Sequence, residues 1–412
     1  MRTLAALMLV VVAAPAVAAD LLIRGGRVHT LGPAGTLETG SVLIRDGRIA
    51  AVGAALEAPA GAQVIDASGK IVTPGIVAAY TQIGLREIDG VPQSVDDATV
   101  DDRFGATLDV TDALNPRSVA IAVNRIEGVT RAIAAPVAGK RDALLSGFGA
   151  LVNLGSSSRF VTRERVALFA TGGEEAAALM GGSRPAALAW LREVFEEVRN
   201  PKAWTGRPNR EPLLSPLEAE ALKPVLEGRV PLVVSAHRAS DLRVLLKLAA
   251  DYRLRLVVHG GGEAHLVAPE LAARKVPVIL DPTWNLPARF EALAAADDAA
   301  ARLQRAGVLI AFMQDGDTFQ NARNLRQLAG NAVARGLPWD AALAAITLNP
   351  ARIFGAGAEL GSLEAGKLAD VVIWDGDPLE LQSYPVQVLI DGSAVPAESR
   401  QTQLRDRYLR RK

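Results

Sequence analysis

The middle of the chain repeats a short apolar run followed by a longer stretch in which apolar residues recur with a helical period. The repeat is clearest where apolar runs at 230–236, 254–258, 276–280 and 308–313 each precede an alanine-rich amphipathic stretch. Strands that alternate with helices in this way build a parallel sheet. The pattern therefore predicts an α/β fold, and residues 71–355 are long enough for a closed (β/α)8 barrel of about 250 residues. An open doubly wound sheet is the alternative, but no GxGxxG turn follows an early strand to support it.

Both ends of the chain show a different pattern, in which short alternating runs surround glycine turns. Residues 20–70 contain LLIRGGRVHTL and SVLIRDGRIAAVG, and residues 356–412 contain ADVVIWDGDP and VQVLIDGSAV. Alternation of apolar and polar residues around such turns is typical of antiparallel strands. We therefore expect a small composite β-sandwich domain, formed by the N- and C-terminal segments and flanking the TIM-like barrel of residues 71–355.

Residues 1–19 have the pattern of a cleaved secretory signal peptide. Arg2 is followed by an apolar core from Leu4 to Ala14, and Ala16-Val17-Ala18 supplies small residues for cleavage. The apolar run is shorter than the ~20 residues that span a bilayer. We expect a periplasmic or secreted protein that has no membrane attachment after cleavage.

Composition narrows the classes of partner. Half of the residues are apolar, and 45 basic residues balance 45 acidic residues. A chain without a basic excess has no electrostatic footprint for nucleic acid. The chain has no cysteine, which excludes disulfides, zinc thiolates and a catalytic thiol. We expect a small-molecule substrate and no nucleic-acid partner, and a homo-oligomer stays open.

Polar side chains follow the predicted strands of the second half of the barrel. His237 and His259 come at the ends of two successive strands, and Asp281 and Asp315 follow the next two. Sites in such barrels gather at the carboxyl ends of the strands. Two neutral imidazoles at neighbouring strand ends make a plausible metal pair, with an aspartate as ligand or proton shuttle. The alternative for Asp281 is that it only caps the loop after its strand.

The first predicted barrel strand lies in VTPGIVAAYTQIGL, residues 72–85, and carries Tyr80 and Gln82 near its end. Side chains two residues apart on a strand point the same way. We therefore expect the Tyr80 phenol and the Gln82 amide to face one site together. Elsewhere, His265 lies in a turn before a helix, and His29 lies in the terminal zone, so neither is expected to be a ligand.

These pieces resemble the amidohydrolase superfamily, in particular its imidazolonepropionase-like and prolidase-like branch. The resemblance is carried, in order, by VLIRDGRIAAVG, VTPGIVAAYTQIGL, VVSAHRASDL, LRLVVHGGGEA, GVLIAFMQDGD, AALAAITLNPARIFG and GSLEAGKLADVVIWDGDPLE. It implies a metal-dependent hydrolase that acts on C–N bonds. It also implies that His237 and His259 are metal ligands and that Asp315 is the general base toward the attacking water.

The chain departs from the pattern of that superfamily at two places. Tyr80-Thr81-Gln82 stands where the first strand usually carries His-x-His, and no lysine or glutamate ends the fourth strand. Glu174, slightly later, is the candidate third ligand or bridging group. The resemblance then implies a single divalent metal, zinc or manganese, rather than a pair.

The expected reaction is attack of a single metal-bound water on an amide, cyclic amide or dipeptide bond. The expected substrate contacts are Arg238, Glu263, Tyr80 and Gln82. Arg238, Arg323 or Arg326 could hold a substrate carboxylate by bidentate hydrogen bonds.

Two alternatives stay open beside the hydrolase. One is a catalytically inactive amidohydrolase-fold protein that binds a small molecule or a partner. The other is a metal-independent enzyme that uses Tyr80 and Asp315 as acid and base.

Overall fold

The structure is a computed structural model that describes residues 20–99, 104–138, 144–155, 158–204, 211–316 and 318–410. The predicted signal peptide, residues 1–19, lies outside the described residues. Within them, no helix combines the length and the apolar character that a bilayer crossing requires.

One sheet of eight strands forms a nearly closed barrel. Its neighbours follow chain order from the first strand to the eighth, and the last strand lies beside the first. The strands are β6 (Ile76–Thr81), β7 (Val129–Ala134), β8 (Leu145–Asn153), β9 (Val161–Thr171), β10 (Leu232–Ala236), β11 (Leu256–Gly260), β12 (Val278–Leu280) and β13 (Ile310–Phe312). The prediction of an α/β TIM-like barrel is therefore confirmed.

The third barrel strand corrects the expectation of an all-parallel sheet. Strand β8 pairs antiparallel with both β7 and β9, whereas the other neighbouring pairs in the barrel sheet are parallel. No helix separates β7 from β8 or β8 from β9 in the described residues. A chain that returns through a short loop can only pair antiparallel, because a parallel return needs a crossover of a dozen or more residues.

A second sheet joins the two ends of the chain. It contains β1 (Leu21–His29), β2 (Thr36–Arg45), β3 (Arg48–Gly53), β4 (Gln63–Asp66), β5 (Ile71–Pro74), β14 (Val371–Trp374), β15 (Pro385–Ile390) and β16 (Ser393–Ala394). Strand β5 pairs with β1 and β14, so the barrel begins after Pro74 rather than at residue 71. The two-layer sandwich stays a prediction.

Helices surround the barrel and extend to the C-terminus. They are α1 (Val119–Arg125), α2 (Gly173–Leu179), α3 (Arg184–Arg199), α4 (Pro201–Trp204), α5 (Pro216–Leu226), α6 (Ala239–Tyr252), α7 (Ala268–Ala273), α8 (Ala299–Arg305), α9 (Thr318–Asn321), α10 (Leu325–Ala334), α11 (Trp339–Ala345), α12 (Leu348–Ile353) and α13 (Arg400–Leu409). Short 3-10 helices lie at Pro92–Ser94, Val110–Asp112, Ala264–Val267, Phe290–Ala292 and Ala322–Asn324.

The period of two along each strand separates the barrel interior from the helix-covered exterior. One apolar cluster fills the interior, and it takes alternate residues from every strand: Val77 and Ala79, Ile133, Leu151, Ala167 and Phe169, Val233, Val257, Ile279 and Ala311. The residues between them pack outward against the helices in a separate cluster. This alternation fixes which side chains emerge inside the barrel mouth where each strand ends.

A buried ion network joins the barrel to the terminal sheet. Arg131 of β7 is 1% exposed, and its Nε donates to Asp370 at 2.7 Å. The same guanidinium pairs with Asp391, which also accepts a hydrogen bond from Asn153 at 2.7 Å. Burial alone would lower the pKa of Arg131, but the two aspartates raise it above its ordinary value. The guanidinium is therefore fixed in its charged form between the two sheets.

We expect that Arg131→Leu lowers the free energy of unfolding by about 3–5 kcal/mol, because it leaves the buried Asp370 carboxylate without a partner. Urea unfolding followed by circular dichroism measures the change. The control is Arg163→Leu, which breaks a half-exposed pair with Glu359 and should cost less than about 1 kcal/mol. Equal losses in the two variants would show that the Arg131 network does not hold the two sheets together.

Candidate active site at the barrel mouth

The inward-facing rows of the barrel continue past the strand ends and carry the predicted site residues. Counting in steps of two from Val233, Val257, Ile279 and Ala311 leads to His237, His259, Asp281 and Asp315. The local fold thus brings these four positions to the same end of the barrel.

His259 lies inside the mouth, in a cavity of about 490 Å³ that includes its open entrance. The Tyr80 ring packs against the imidazole with the ring centroids 4.3 Å apart, and Phe169 lies beyond Tyr80. Other lining residues are Pro136, Val137, Ala138, Ser146, Ala170, Thr171, Glu175, Val233 and Ser235. The Nε2 atom of His259 is buried and has no hydrogen-bond partner. The cavity is therefore lined by both apolar and polar side chains, one of which is an imidazole with an unpaired nitrogen.

His237 lies against the glycine-rich turn after the next strand. Gly260 has φ +92°, and a Cβ there would come within 2.5 Å of the His237 ring. The ring stacks on Trp284 with the centroids 5.7 Å apart, and its Nδ1 atom is buried without a partner. His237 lines a second cavity of about 370 Å³, which it shares with Asp281 and Trp284.

Both imidazoles are held in the neutral form. Burial lowers the pKa of His259 to about 3, with a smaller contribution from His237. Burial and the Arg289 charge lower the pKa of His237 to about 4. At neutral pH each ring therefore offers a lone pair rather than a positive charge.

Asp281 and Asp315 are joined to each other through the backbone. One oxygen of Asp281 accepts from Thr283 and the other accepts the Asp315 amide at 3.0 Å, so Asp281 caps the loop after its strand. The Asp315 carboxylate accepts the Gly316 amide at 2.9 Å. Burial raises the pKa of Asp315, which makes it a better proton acceptor than an ordinary aspartate.

Of the two residues expected to face one site, Tyr80 lines the cavity and Gln82 does not. The pairing of β6 with β7 shifts register between Ala78 and Thr81. The shift changes the alternation and turns Tyr80 toward the interior. The Tyr80 hydroxyl donates to Pro136 at 3.4 Å, and burial raises its pKa above the ordinary value. Tyr80 is thus a neutral phenol that forms a wall of the cavity.

Gln82 is 3% exposed, and both ends of its amide are engaged. Its Nε2 donates to Ala135 at 3.2 Å, and its Oε1 accepts from Thr318. The structure therefore does not support the predicted substrate contact by Gln82. The side chain instead ties the end of the first barrel strand to the start of α9.

Glu174, the predicted third ligand or bridging group, does not line either cavity that contains the two histidines. Both Glu174 and Glu175 are exposed, and the Glu174 backbone amide donates to Glu291 at the start of α2. Glu175, the next residue, lines the His259 cavity. Burial raises the pKa of Glu175, whereas Arg289 lowers it. The acidic group of this segment that faces the cavity is therefore Glu175.

Glu263 supports loops rather than facing a ligand. It is 7% exposed, and its two oxygens accept from the backbone amides of Ala239 and Ala294, each at 3.0 Å. It therefore ties the start of α6 to the loop after β12, and the structure gives no support to the predicted substrate contact. Arg238 pairs with Asp241 at 2.6 Å, and its buried Nε has no partner.

A single-metal centre needs a set of ligands that the side chains at the barrel mouth do not supply. Two neutral ring nitrogens without partners have the right chemistry, but catalytic zinc sites use three protein ligands. Nowhere in the described parts of the chain do three histidine, aspartate or glutamate side chains group closely enough to hold an ion. His237 and His259 also line different cavities. The described residues therefore do not fit the single-metal centre.

Two residues of the mouth carry no recognisable sequence motif. Trp284 and Arg289 lie in the loop between β12 and α8, and the Arg289 guanidinium lies 4.1 Å from the centre of the Trp284 ring. An aromatic and a basic residue five positions apart in a loop are common in proteins. Their relation to His237 depends on tertiary structure alone.

Comparison with known proteins agrees with this architecture. A family model described as amidohydrolase family matches residues 272–396. The chain is 28% identical over 390 residues to amidohydrolase tasK of Hapsidospora irregularis, which covers 86% of this chain and 40% of tasK. It is 25% identical to imidazolonepropionase of Sphingopyxis alaskensis, over 84% of this chain and 89% of that protein.

A solved structure extends the similarity to the whole fold. The amidohydrolase from Thermotoga maritima superposes with a TM-score of 0.81 at 27% identity, covering 91% of this chain and 99% of that chain. A prolidase structure shares the fold at 17% identity, with a TM-score of 0.55. By the family model, the long relatives and this fold, the chain is similar to amidohydrolases and to imidazolonepropionases in particular.

Proposed function

We propose that the protein binds a small molecule with an amide-type C–N bond in the cavity around His259. The observation that carries the proposal is the His259 ring, which lines the cavity and has an unpaired, buried Nε2 atom. A buried polar atom without a partner costs about 1–3 kcal/mol. A ligand group that forms a hydrogen bond with this ring nitrogen would remove that cost. The amide chemistry of the ligand is inferred from the similarity to amidohydrolases, which act on C–N bonds.

The walls of the cavity suit such a ligand. Tyr80, Phe169 and Val233 supply apolar surface, and Ser146, Ser235 and Thr171 supply a few hydroxyl groups. Ligand sites are usually mostly apolar concave surfaces with a small number of oriented polar groups. Since the pKa of His259 is about 3, its ring stays neutral throughout the physiological range and offers one donor and one acceptor nitrogen.

Hydrolysis of the bound C–N bond is the second candidate function. It is favoured by the similarity to amidohydrolases and by the raised pKa of Asp315, which lies at the same barrel mouth. A carboxylate of this kind can accept the proton of an attacking water and return it to the leaving nitrogen.

We also propose a periplasmic location, on the pattern of residues 1–19.

We expect that His259→Phe weakens binding of N-acetyl-L-phenylalaninamide roughly tenfold, since the variant keeps an aromatic ring but loses the acceptor. Isothermal titration calorimetry measures the affinity, and mass spectrometry of the same samples detects any acetate released. The control is His29→Phe in the terminal sheet, which should bind like the wild type. Unchanged affinity in His259→Phe would contradict the proposal, whereas acetate release would favour the hydrolase.

We expect purified protein that has been dialysed against zinc or manganese to retain well below one ion per chain, because two ligands do not make a closed site. Elemental analysis by mass spectrometry measures the content. A content of one ion per chain in the wild type that His237→Ala removes would overturn this assignment and restore the predicted single-metal centre.

A further inference from the structure

Strand β8 carries a β-bulge in its first residues, at the barrel mouth. Its pairing with β9 places Leu145 opposite Ala170 and Gly147 opposite Phe169. Ser146 is therefore an extra residue, and it shares the position opposite Phe169 with Gly147. A bulge of this kind leaves its extra residue outside the ladder of hydrogen bonds and re-aims the side chain.

The apolar clusters of the barrel show where the alternation of sides breaks. Leu151 of β8 faces the interior, so strict alternation would also turn Leu145 inward. Leu145 instead packs outward, in the cluster that contacts the helices. Phe169, the residue opposite the bulge, faces the interior. The bulge thus turns Ser146 to the same side as Phe169, and Ser146 lines the His259 cavity.

The backbone at Leu108 holds the bulge in place. The Phe148 amide donates to the Leu108 carbonyl at 2.8 Å. Gly147 has φ +115°, and a Cβ there would come within 2.6 Å of the same carbonyl oxygen. Glycine fits both this backbone conformation and this close approach, whereas a larger residue would be strained. The direction of Ser146 is therefore fixed by the backbone on either side of it.

The Ser146 hydroxyl has no hydrogen-bond partner in the part of the chain that the structure describes, although the residue is only 8% exposed. Ser235, the other serine that lines the cavity, accepts the Gly172 amide at 3.3 Å. A hydroxyl group can both donate and accept a hydrogen bond. A ligand in the cavity can therefore pair with Ser146 through either kind of group.

Two aromatic rings connect the bulge with the His259 ring. The centroid of Phe169, which lies opposite Ser146, is 5.8 Å from that of Tyr80, and the Tyr80 centroid is 4.3 Å from that of His259. The cavity thus has a row of apolar surface with a hydroxyl near one end and an imidazole at the other. Whether the unpaired His259 nitrogen donates or accepts, a hydroxyl can take the opposite role.

We propose that Ser146 contacts the ligand, and that its hydroxyl and the His259 ring nitrogen bind the N–H and the C=O of one amide group between them. An amide presents one donor and one acceptor, whereas an ester of the same shape presents acceptors alone. The protein therefore selects secondary amides over the matching esters. This inference rests on the proposed binding function and adds a second polar contact and a selectivity to it.

The test compares N-(2-phenylethyl)acetamide with its ester counterpart, 2-phenylethyl acetate. We expect the wild type to bind the amide roughly tenfold more tightly, because the ester leaves one of the two protein groups without a partner. Ser146→Ala and His259→Phe should each weaken amide binding roughly tenfold. The variant that loses the partner of the N–H should bind the ester like the wild type, whereas the other should bind the ester more weakly. Calorimetric titration of the full chain measures the affinities.

Two controls separate a ligand contact from a structural role. Ser146→Ala removes a hydroxyl without an internal hydrogen bond, so its urea unfolding should match that of the wild type. Ser68→Ala removes an exposed hydroxyl beside the terminal sheet and should bind both compounds like the wild type.

Loss of amide affinity in Ser146→Ala, with a weaker ester complex in one of the two variants alone, supports the inference. Unchanged amide affinity in Ser146→Ala, equal effects of both variants on the ester, or equal affinity of the wild type for both compounds overturns it. A lower unfolding midpoint of Ser146→Ala also overturns it, since the hydroxyl would then support the bulge. In each of these cases a loss of amide affinity in His259→Phe leaves the proposed function intact. Failure of the wild type to bind the amide overturns both.

Discussion

The site depends on the burial of two imidazole rings without hydrogen-bond partners. A buried nitrogen that accepts no hydrogen bond costs about 1–3 kcal/mol, and most proteins avoid that cost. His237 and His259 both show it, at the ends of neighbouring barrel strands. Gly260 leaves room for this arrangement, since a Cβ there would come within 2.5 Å of the His237 ring. The chain thus keeps two neutral imidazoles with unpaired nitrogens at the barrel mouth.

Much of the site could be predicted from the sequence, because the spacing of residues along a barrel strand determines whether their side chains point into the barrel or out of it. The period of two in the apolar runs sets which residues face inward, and the same count leads to His237, His259 and Asp315. The register shift before Tyr80 could not be seen, yet it turns the phenol into the cavity. The period of apolar residues is also the same in parallel and antiparallel strands, so the antiparallel pairing of β8 could not be predicted.

The residues that sequence reasoning misplaced are those whose role depends on distant backbone. Glu263 was expected to contact the substrate, but its oxygens accept hydrogen bonds from two segments that the fold brings together. Gln82 is satisfied in a similar way, by Thr318 and Ala135. Trp284 and Arg289 could not be predicted, because no motif in the surrounding sequence indicates that this loop packs against His237.

The central claim is that the cavity around His259 holds a small molecule with an amide-type C–N bond. The most direct measurement is a crystal structure of the mature protein with N-acetyl-L-phenylalaninamide. The account predicts the compound inside the cavity beside Tyr80 and His259, with a hydrogen bond to the His259 ring. A compound bound elsewhere on the protein, or bound in the cavity without a contact to the His259 ring, would contradict it.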